Sequence, residues 1–197
     1  MTRDDERRSR ASEAILIGGL PDAPGITAAL RLTAGLGLHL RGLADELLVH
    51  DFPGATLTRA ERELLATAVS AANDCFFCMD SHGAFATELL ERTGAAHVQH
   101  TVDAVKLGGN DSLESKMSAL LDIARTVRSD ARALTRAQVD RALAAGATDG
   151  DTQLAVLIAA AFSMYNRMVD GFRAATPANE QAYQARAAEI ADRGYSK

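Results

Sequence analysis

The sequence has no tryptophan, and aromatic residues of all kinds make up only 5% of its 197 residues. Hydrophobic residues still reach 47%, so a core can form, but alanine, leucine, valine and isoleucine must build most of it. Alanine and leucine favour helices over strands. No stretch alternates apolar and polar residues for long enough to demand a sheet, so the sequence predicts an all-α fold.

Long apolar runs and segregated positive charge are also lacking. The longest apolar run, from Leu154 to Phe162, is far shorter than the roughly 20 residues that cross a bilayer. The net charge is −5, and no stripe of lysine and arginine is interleaved with aromatic residues. We therefore expect no membrane span and no nucleic-acid partner.

Charges of both signs open the chain, and no apolar signal core follows them. We expect residues 1–12 to form a mobile N-terminal arm, and residues 13–197 to fold as one domain because no linker divides them. Without a secretion signal, the expected location is the cytoplasm. Disulfides there are mostly transient and catalytic, which gives weight to a closely spaced cysteine pair.

Capping patterns and helix breakers predict where helices begin and end. Thr58 and Glu61 have the spacing of a capping box, and the helix that they open should run to about Ala72. The Asn73–Asp74 pair breaks that helix and can cap the next one, which should run to about Arg92. Further helices are expected over residues 25–50, 111–129, 135–146 and 148–173, and from Pro177 onwards.

The two cysteines of the chain, Cys75 and Cys78, are separated by two residues, and His82 follows. Residues at positions i, i+3 and i+7 share one face of a helix, so these three side chains should lie together. If the helix begins just before them, its unpaired N–H groups and its dipole stabilise a thiolate there. A hairpin of this helix and the preceding one would bring Glu63 to the ring of His82 and raise its basicity.

These residues allow three interpretations. A Cys-x-x-Cys pair at a helix start can form an intramolecular disulfide and act as a dithiol redox site. The two thiols and His82 could instead ligate zinc, with His97 or His100 as the fourth ligand. In the third interpretation the thiols are small, buried packing groups. Haem attachment is excluded because it requires a histidine directly after the second cysteine, where this chain has Met79.

Residues 61–82 resemble the alkylhydroperoxidase D branch of the carboxymuconolactone decarboxylase family. The signature of that branch is a glutamate, eleven residues, a cysteine, two residues, a cysteine, three residues and a histidine. The chain matches all four positions, with Glu63, Cys75, Cys78 and His82. Residues 154–170 are also similar to the C-terminal helix of the peroxidase-related subgroup.

The resemblance implies an all-helical bundle in which the Cys-x-x-Cys motif begins a central helix, and assembly into homotrimers or hexamers. It implies an antioxidant peroxidase that reduces hydroperoxides without a cofactor or metal. Cys78 would be the peroxidatic thiolate and Cys75 the resolving thiol, while His82 and Glu63 would relay protons. An external dithiol donor, a lipoyl or thioredoxin-like protein, would reduce the resulting disulfide.

One position departs from the pattern of the branch. Its best-known peroxidases carry a histidine immediately before the second cysteine, where this chain has Phe77. Without that histidine the proton relay has one group fewer, which leaves two alternatives to a peroxidase open. The first is a redox-sensing oligomer with little turnover, and the second is a non-redox lyase or decarboxylase-like enzyme that uses Glu63 and His82 as acid and base. The decarboxylase branch generally lacks the cysteine pair, which argues against lactone decarboxylation.

Overall fold

The computed structural model describes residues 17–110, 113–177 and 180–196, and these ranges contain helices and no strand. The all-α prediction is therefore confirmed. The helices in chain order are α1 Ile26–Leu30, α2 Ala34–Leu48, α3 Arg59–Ala72, α4 Phe76–Arg92, α5 Val98–Lys106, α6 Ser115–Asp130, α7 Arg136–Ala144, α8 Asp149–Phe172 and α9 Glu180–Arg193. The predicted N-terminal arm, residues 1–12, lies outside the described residues.

Capping boxes begin three of these helices where the sequence predicts a start. Thr58 and Glu61 form the box of α3, which ends at Ala72. Similar boxes at Thr135 and Thr148 open α7 and α8. In the described part of the chain, none of the helices combines the length and apolar character needed to cross a membrane.

The turn between α3 and α4 differs from the prediction in its cap. Asn73 ends α3, and Asp74 adopts a left-handed φ of 55°, which aspartate tolerates better than most residues. Cys75 is consequently the N-cap of α4, and its N–H donates to the carbonyl of Ser70 at 3.0 Å. Both cysteines therefore lie at the first turn of α4, although the predicted capping residues are wrong.

Two other parts of the helix pattern also differ. The helix predicted over residues 25–50 is two helices, because Thr33 starts α2 afresh with its hydroxyl accepting the N–H of Leu36 at 3.1 Å. The sequence did not predict α5. This helix has only nine residues and buries three valines, so its apolar periodicity is too short to distinguish a helix from a loop in the sequence.

The core lies where α3, α6 and α8 meet. Helix α3 is buried on nearly all sides, from Glu63 at its first turns to Ala71 at its end. Helix α4 packs along α3 and also contacts α9, while α8 packs against both α3 and α6. Functional side chains on α3 and α4 are therefore held by packing on several sides.

A buried carboxylate ties the start of α8 to the segment that enters α3. Asp151 is fully buried and accepts the N–H of Thr56 at 2.6 Å, the hydroxyl of Thr56 at 2.8 Å and the N–H of Leu57 at 3.0 Å. A fourth bond comes from the N–H of Thr148 at 3.0 Å. Burial alone would raise the pKa of Asp151, but these hydrogen bonds outweigh it and lower the pKa below its ordinary value.

Replacing Asp151→Ala should lower the free energy of unfolding by about 2–4 kcal/mol, because buried N–H groups lose their acceptor. Asp149→Ala is the matched control, since Asp149 is exposed in the first turn of the same helix. Because the folded pKa is lowered, the contribution of Asp151 is present above about pH 4 and fades as the pH falls through that lower value. Urea unfolding at neutral and acidic pH measures both effects, and equal stability of the two variants would contradict the anchoring role.

Candidate active site

The side chains of the motif converge where α3, α4 and α8 meet. Glu63 projects from α3 and is fully buried, and its Oε2 lies 2.6 Å from Nδ1 of His82 on α4. The hairpin of the two helices produces this contact, because it packs the first turns of α3 beside the second turn of α4. The carboxylate and the imidazole thus form a hydrogen-bonded pair that is only slightly exposed to solvent.

Both cysteines are buried free thiols at the start of α4, and they lie 3.3 Å apart. That separation is within hydrogen-bonding range for sulfur, and a small movement would allow the two cysteines to form a disulfide. The hydrogen bond to Cys78 and burial both raise the pKa of the Cys75 thiol, and the carboxylate of Asp170 acts in the same direction. These effects all favour the neutral thiol of Cys75 over its thiolate.

Aromatic rings orient His82. Phe162 of α8 meets the imidazole edge to face with ring centroids 4.6 Å apart, and Phe85 does so at 5.2 Å. Since Nδ1 faces the carboxylate of Glu63, the proton of a neutral ring belongs on that nitrogen. Nε2 is then the atom that can accept a proton from a substrate or a thiol.

A small cavity of about 60 Å³ gives Cys78 and His82 a common space. Most of its remaining wall is apolar, and Arg41 is its one strongly charged member in the described part of the chain. The other lining residues are Ile26, Leu30, Leu40, Ala44, Phe77, Phe162, Tyr165 and Tyr195. A thiolate at Cys78 would therefore meet a substrate in surroundings that contain little water.

Comparison with known proteins agrees with this geometry. A sequence model described as the carboxymuconolactone decarboxylase family matches residues 41–93, a span that contains both cysteines, Glu63 and His82. Residues 41–93 are therefore similar to that family. The resemblance recognised from the motif is thereby confirmed over this span. No curated protein matches the chain.

Two solved structures extend the likeness to most of the chain. An uncharacterized peroxidase-related protein from Silicibacter sp. TM1040 has a TM-score of 0.68 and 21% identity, over 82% of this chain and 78% of that one. A structure described as an alkylhydroperoxidase AhpD core, an uncharacterized peroxidase-related protein from Ralstonia eutropha JMP134, has a TM-score of 0.68 and 26% identity, over 82% and 80%. The chain therefore has the AhpD-like helical fold.

Phe77, at the position where the best-known peroxidases of the branch carry a histidine, forms an apolar wall of the site. Phe77 lines the cavity and packs against Tyr183 with ring centroids 5.9 Å apart. Gly25 lies directly against its ring, since a Cβ there would approach the ring carbons to 2.2 Å. Position 25 therefore favours glycine for two reasons: a side chain would collide with the ring, and the φ of 52° lies in the left-handed region. Phe77 thus shapes the entrance to the site.

The histidines considered as further metal ligands lie elsewhere. His97 precedes α5 and His100 lies on it, and both side chains are exposed. Within the three described ranges, no group of three or more histidine, cysteine, aspartate or glutamate side chains is arranged to hold a metal ion. The zinc interpretation therefore lacks its fourth ligand.

Tyr195 completes the site, and the sequence did not identify it. Its hydroxyl donates to Oε1 of Glu63 at 2.6 Å and lies 3.4 Å from Nδ1 of His82. Burial raises the pKa of Tyr195 well above its ordinary value, and the charge of Glu63 adds to the shift, so the phenol remains a donor. Asp45 fixes this segment by accepting the N–H groups of Tyr195 at 2.6 Å and Ser196 at 2.9 Å.

Tyr195→Phe should lower the free energy of unfolding by about 2–3 kcal/mol, because one oxygen of the buried Glu63 carboxylate loses its donor. Tyr165→Phe is the control: its hydroxyl donates at 2.7 Å to the neutral carbonyl of Leu40, and its loss should cost about 1 kcal/mol. Urea unfolding compares the two variants. In a Glu63→Gln background, Tyr195→Phe should lower the free energy of unfolding by less than it does in the wild-type protein. An equal loss in both backgrounds would show that Tyr195 acts through other contacts.

Proposed function

We propose that the chain is a thiol-dependent hydroperoxide reductase with an antioxidant role, in which Cys75 and Cys78 carry the electrons. The observation that carries the proposal is the shared cavity: the thiol of Cys78 and the imidazole of His82 face one apolar space, and a buried carboxylate orients the imidazole. A thiol needs a base of this kind to become a nucleophile, and an apolar space suits an organic hydroperoxide.

In the first step, Nε2 of His82 takes the proton of the Cys78 thiol, directly or through water. The thiolate attacks the outer oxygen of the hydroperoxide, and the O–O bond breaks. The leaving alkoxide receives a proton from His82 and departs as the alcohol. Cys78 is oxidised to a sulfenic acid while the hydroperoxide is reduced.

In the second step, the sulfur of Cys75 attacks the sulfenic sulfur, and the S–S bond forms as the S–O bond breaks. The proton of the Cys75 thiol passes to the leaving hydroxyl group, which departs as water. The 3.3 Å separation supports this step, because it requires only a small approach of the two residues. Of the two cysteines only Cys78 lines the cavity, which suits Cys75 as the resolving thiol behind it.

An external dithiol protein of the lipoyl or thioredoxin type then reduces the disulfide by exchange. This cycle requires no metal, haem or flavin. The proposal includes assembly into a homotrimer or homohexamer in the cytoplasm. Exposed leucines concentrated on α2 or just before it support assembly, because together they leave apolar surface for subunit contacts: Leu32, Leu36, Leu38 and Leu43.

A second candidate is a lyase that uses only the acid–base pair. The buried hydrogen bond between Glu63 and His82 favours it, since such a pair can move a proton on a carbon acid without any thiol. Replacement of both cysteines by alanine would leave that activity intact. The same replacement would abolish a hydroperoxide reductase.

Single cysteine variants test the assigned roles. Cys78→Ser should consume tert-butyl hydroperoxide at least about 100-fold more slowly in a steady-state assay with dithiothreitol, because the attacking thiolate is gone. In the absence of dithiothreitol, Cys75→Ser should complete one turnover and then retain a sulfenic acid, which dimedone traps and mass spectrometry detects. Full turnover by Cys78→Ser would overturn the assignment. Oxidation that changes only the oligomeric state, with no turnover, would indicate the redox sensor instead.

A further inference from the structure

A wide vestibule of about 560 Å³ adjoins the cavity over Cys78 and His82. The two spaces share part of their walls, including Phe77, His82 and Arg41. The vestibule lies between α1, α2, the start of α4 and the C-terminal part of the chain. A ligand in the vestibule therefore reaches the reactive thiol through the space that Arg41 borders.

Three arginines from three helices line this vestibule: Arg31 at the end of α1, Arg41 on α2 and Arg186 on α9. Arg186 is paired with Glu189 one turn further along α9. Neither Arg31 nor Arg41 has a carboxylate partner among the described residues, and no aspartate or glutamate from those residues lines the vestibule. Because the protein as a whole carries a net charge of −5, this convergence of positive charge does not follow from composition.

The rest of the vestibule wall is largely apolar. Phe77, Phe85 and Ile190 lie on it, together with Ile26 and Leu30. A guanidinium group binds a carboxylate through two parallel hydrogen bonds, and such charge-assisted bonds gain strength beside apolar surface. The vestibule thus combines a site for an anionic head with a surface for an alkyl chain.

We propose that the vestibule binds long-chain carboxylates, with the carboxylate at Arg31 and Arg41 and the alkyl chain along the apolar wall. If the chain is a hydroperoxide reductase as proposed above, its preferred substrates are then hydroperoxides of fatty acids. The carboxylate lies in the vestibule, and the hydroperoxide group of the same molecule reaches Cys78 and His82 in the inner cavity. Arg41, which borders both spaces, sets this preference for an anionic substrate.

Binding tests the vestibule without any turnover. Calorimetry on the reduced protein should show octanoate binding about tenfold or more tighter than octanol, and Arg41→Gln should remove that difference. Arg136→Gln is the matched control, because Arg136 is an exposed arginine on α7 that pairs with Asp140. Arg31→Gln serves as a second variant if Arg41→Gln unfolds. Equal affinities for octanoate and octanol in the wild-type protein would overturn the proposal.

Turnover tests the substrate class. The kcat/KM for linoleate hydroperoxide should exceed that for its methyl ester about tenfold, and Arg41→Gln should remove this ratio through a higher KM for the free acid. If both substrates react equally well in the wild-type protein, the vestibule proposal fails and the hydroperoxide reductase stands. If no hydroperoxide reacts at all, the reductase fails, and octanoate binding still decides whether the vestibule takes carboxylates.

Discussion

A fully buried carboxylate held between an imidazole and a phenol fixes the candidate site. Glu63 has no exposure to solvent, so its two oxygens depend on donors from the protein, and His82 and Tyr195 supply one each. This requirement ties α3 to α4 and both to the segment after α9. It also turns Nε2 of His82 away from Glu63, towards the space that Cys78 borders.

Local spacing explains why part of this site could be predicted from sequence. Cys75, Cys78 and His82 lie within two turns of one helix, so their shared face follows from helical periodicity alone. The capping box at Thr58 fixes the start of α3, and the break after Ala72 implies the hairpin that brings Glu63 to His82. The cap itself was wrongly predicted, because the left-handed Asp74 leaves no local signal that distinguishes it from a capping residue.

Contacts between distant parts of the chain account for what the sequence did not show. Tyr195 lies 113 positions from His82, and no periodicity relates the two residues. Asp151 bonds to Thr56, 95 positions earlier, and looks like an ordinary capping residue of α8 in the sequence. The vestibule arginines come from three separate helices, so their convergence is a property of packing. In the same way, the sequence shows only that Phe77 replaces a histidine of the proton relay, whereas the structure shows that its ring forms an apolar wall of the cavity.

Counting thiols after a single exposure to hydroperoxide tests the central chemical claim most directly. The reduced chain has two cysteines, so denatured samples should react with two equivalents of a thiol reagent. After one equivalent of tert-butyl hydroperoxide, neither cysteine should react with the thiol reagent, and one equivalent of alcohol should have formed. Dithiothreitol should restore both thiols. Two thiols that remain reactive beside unconsumed hydroperoxide would contradict a redox role for the pair.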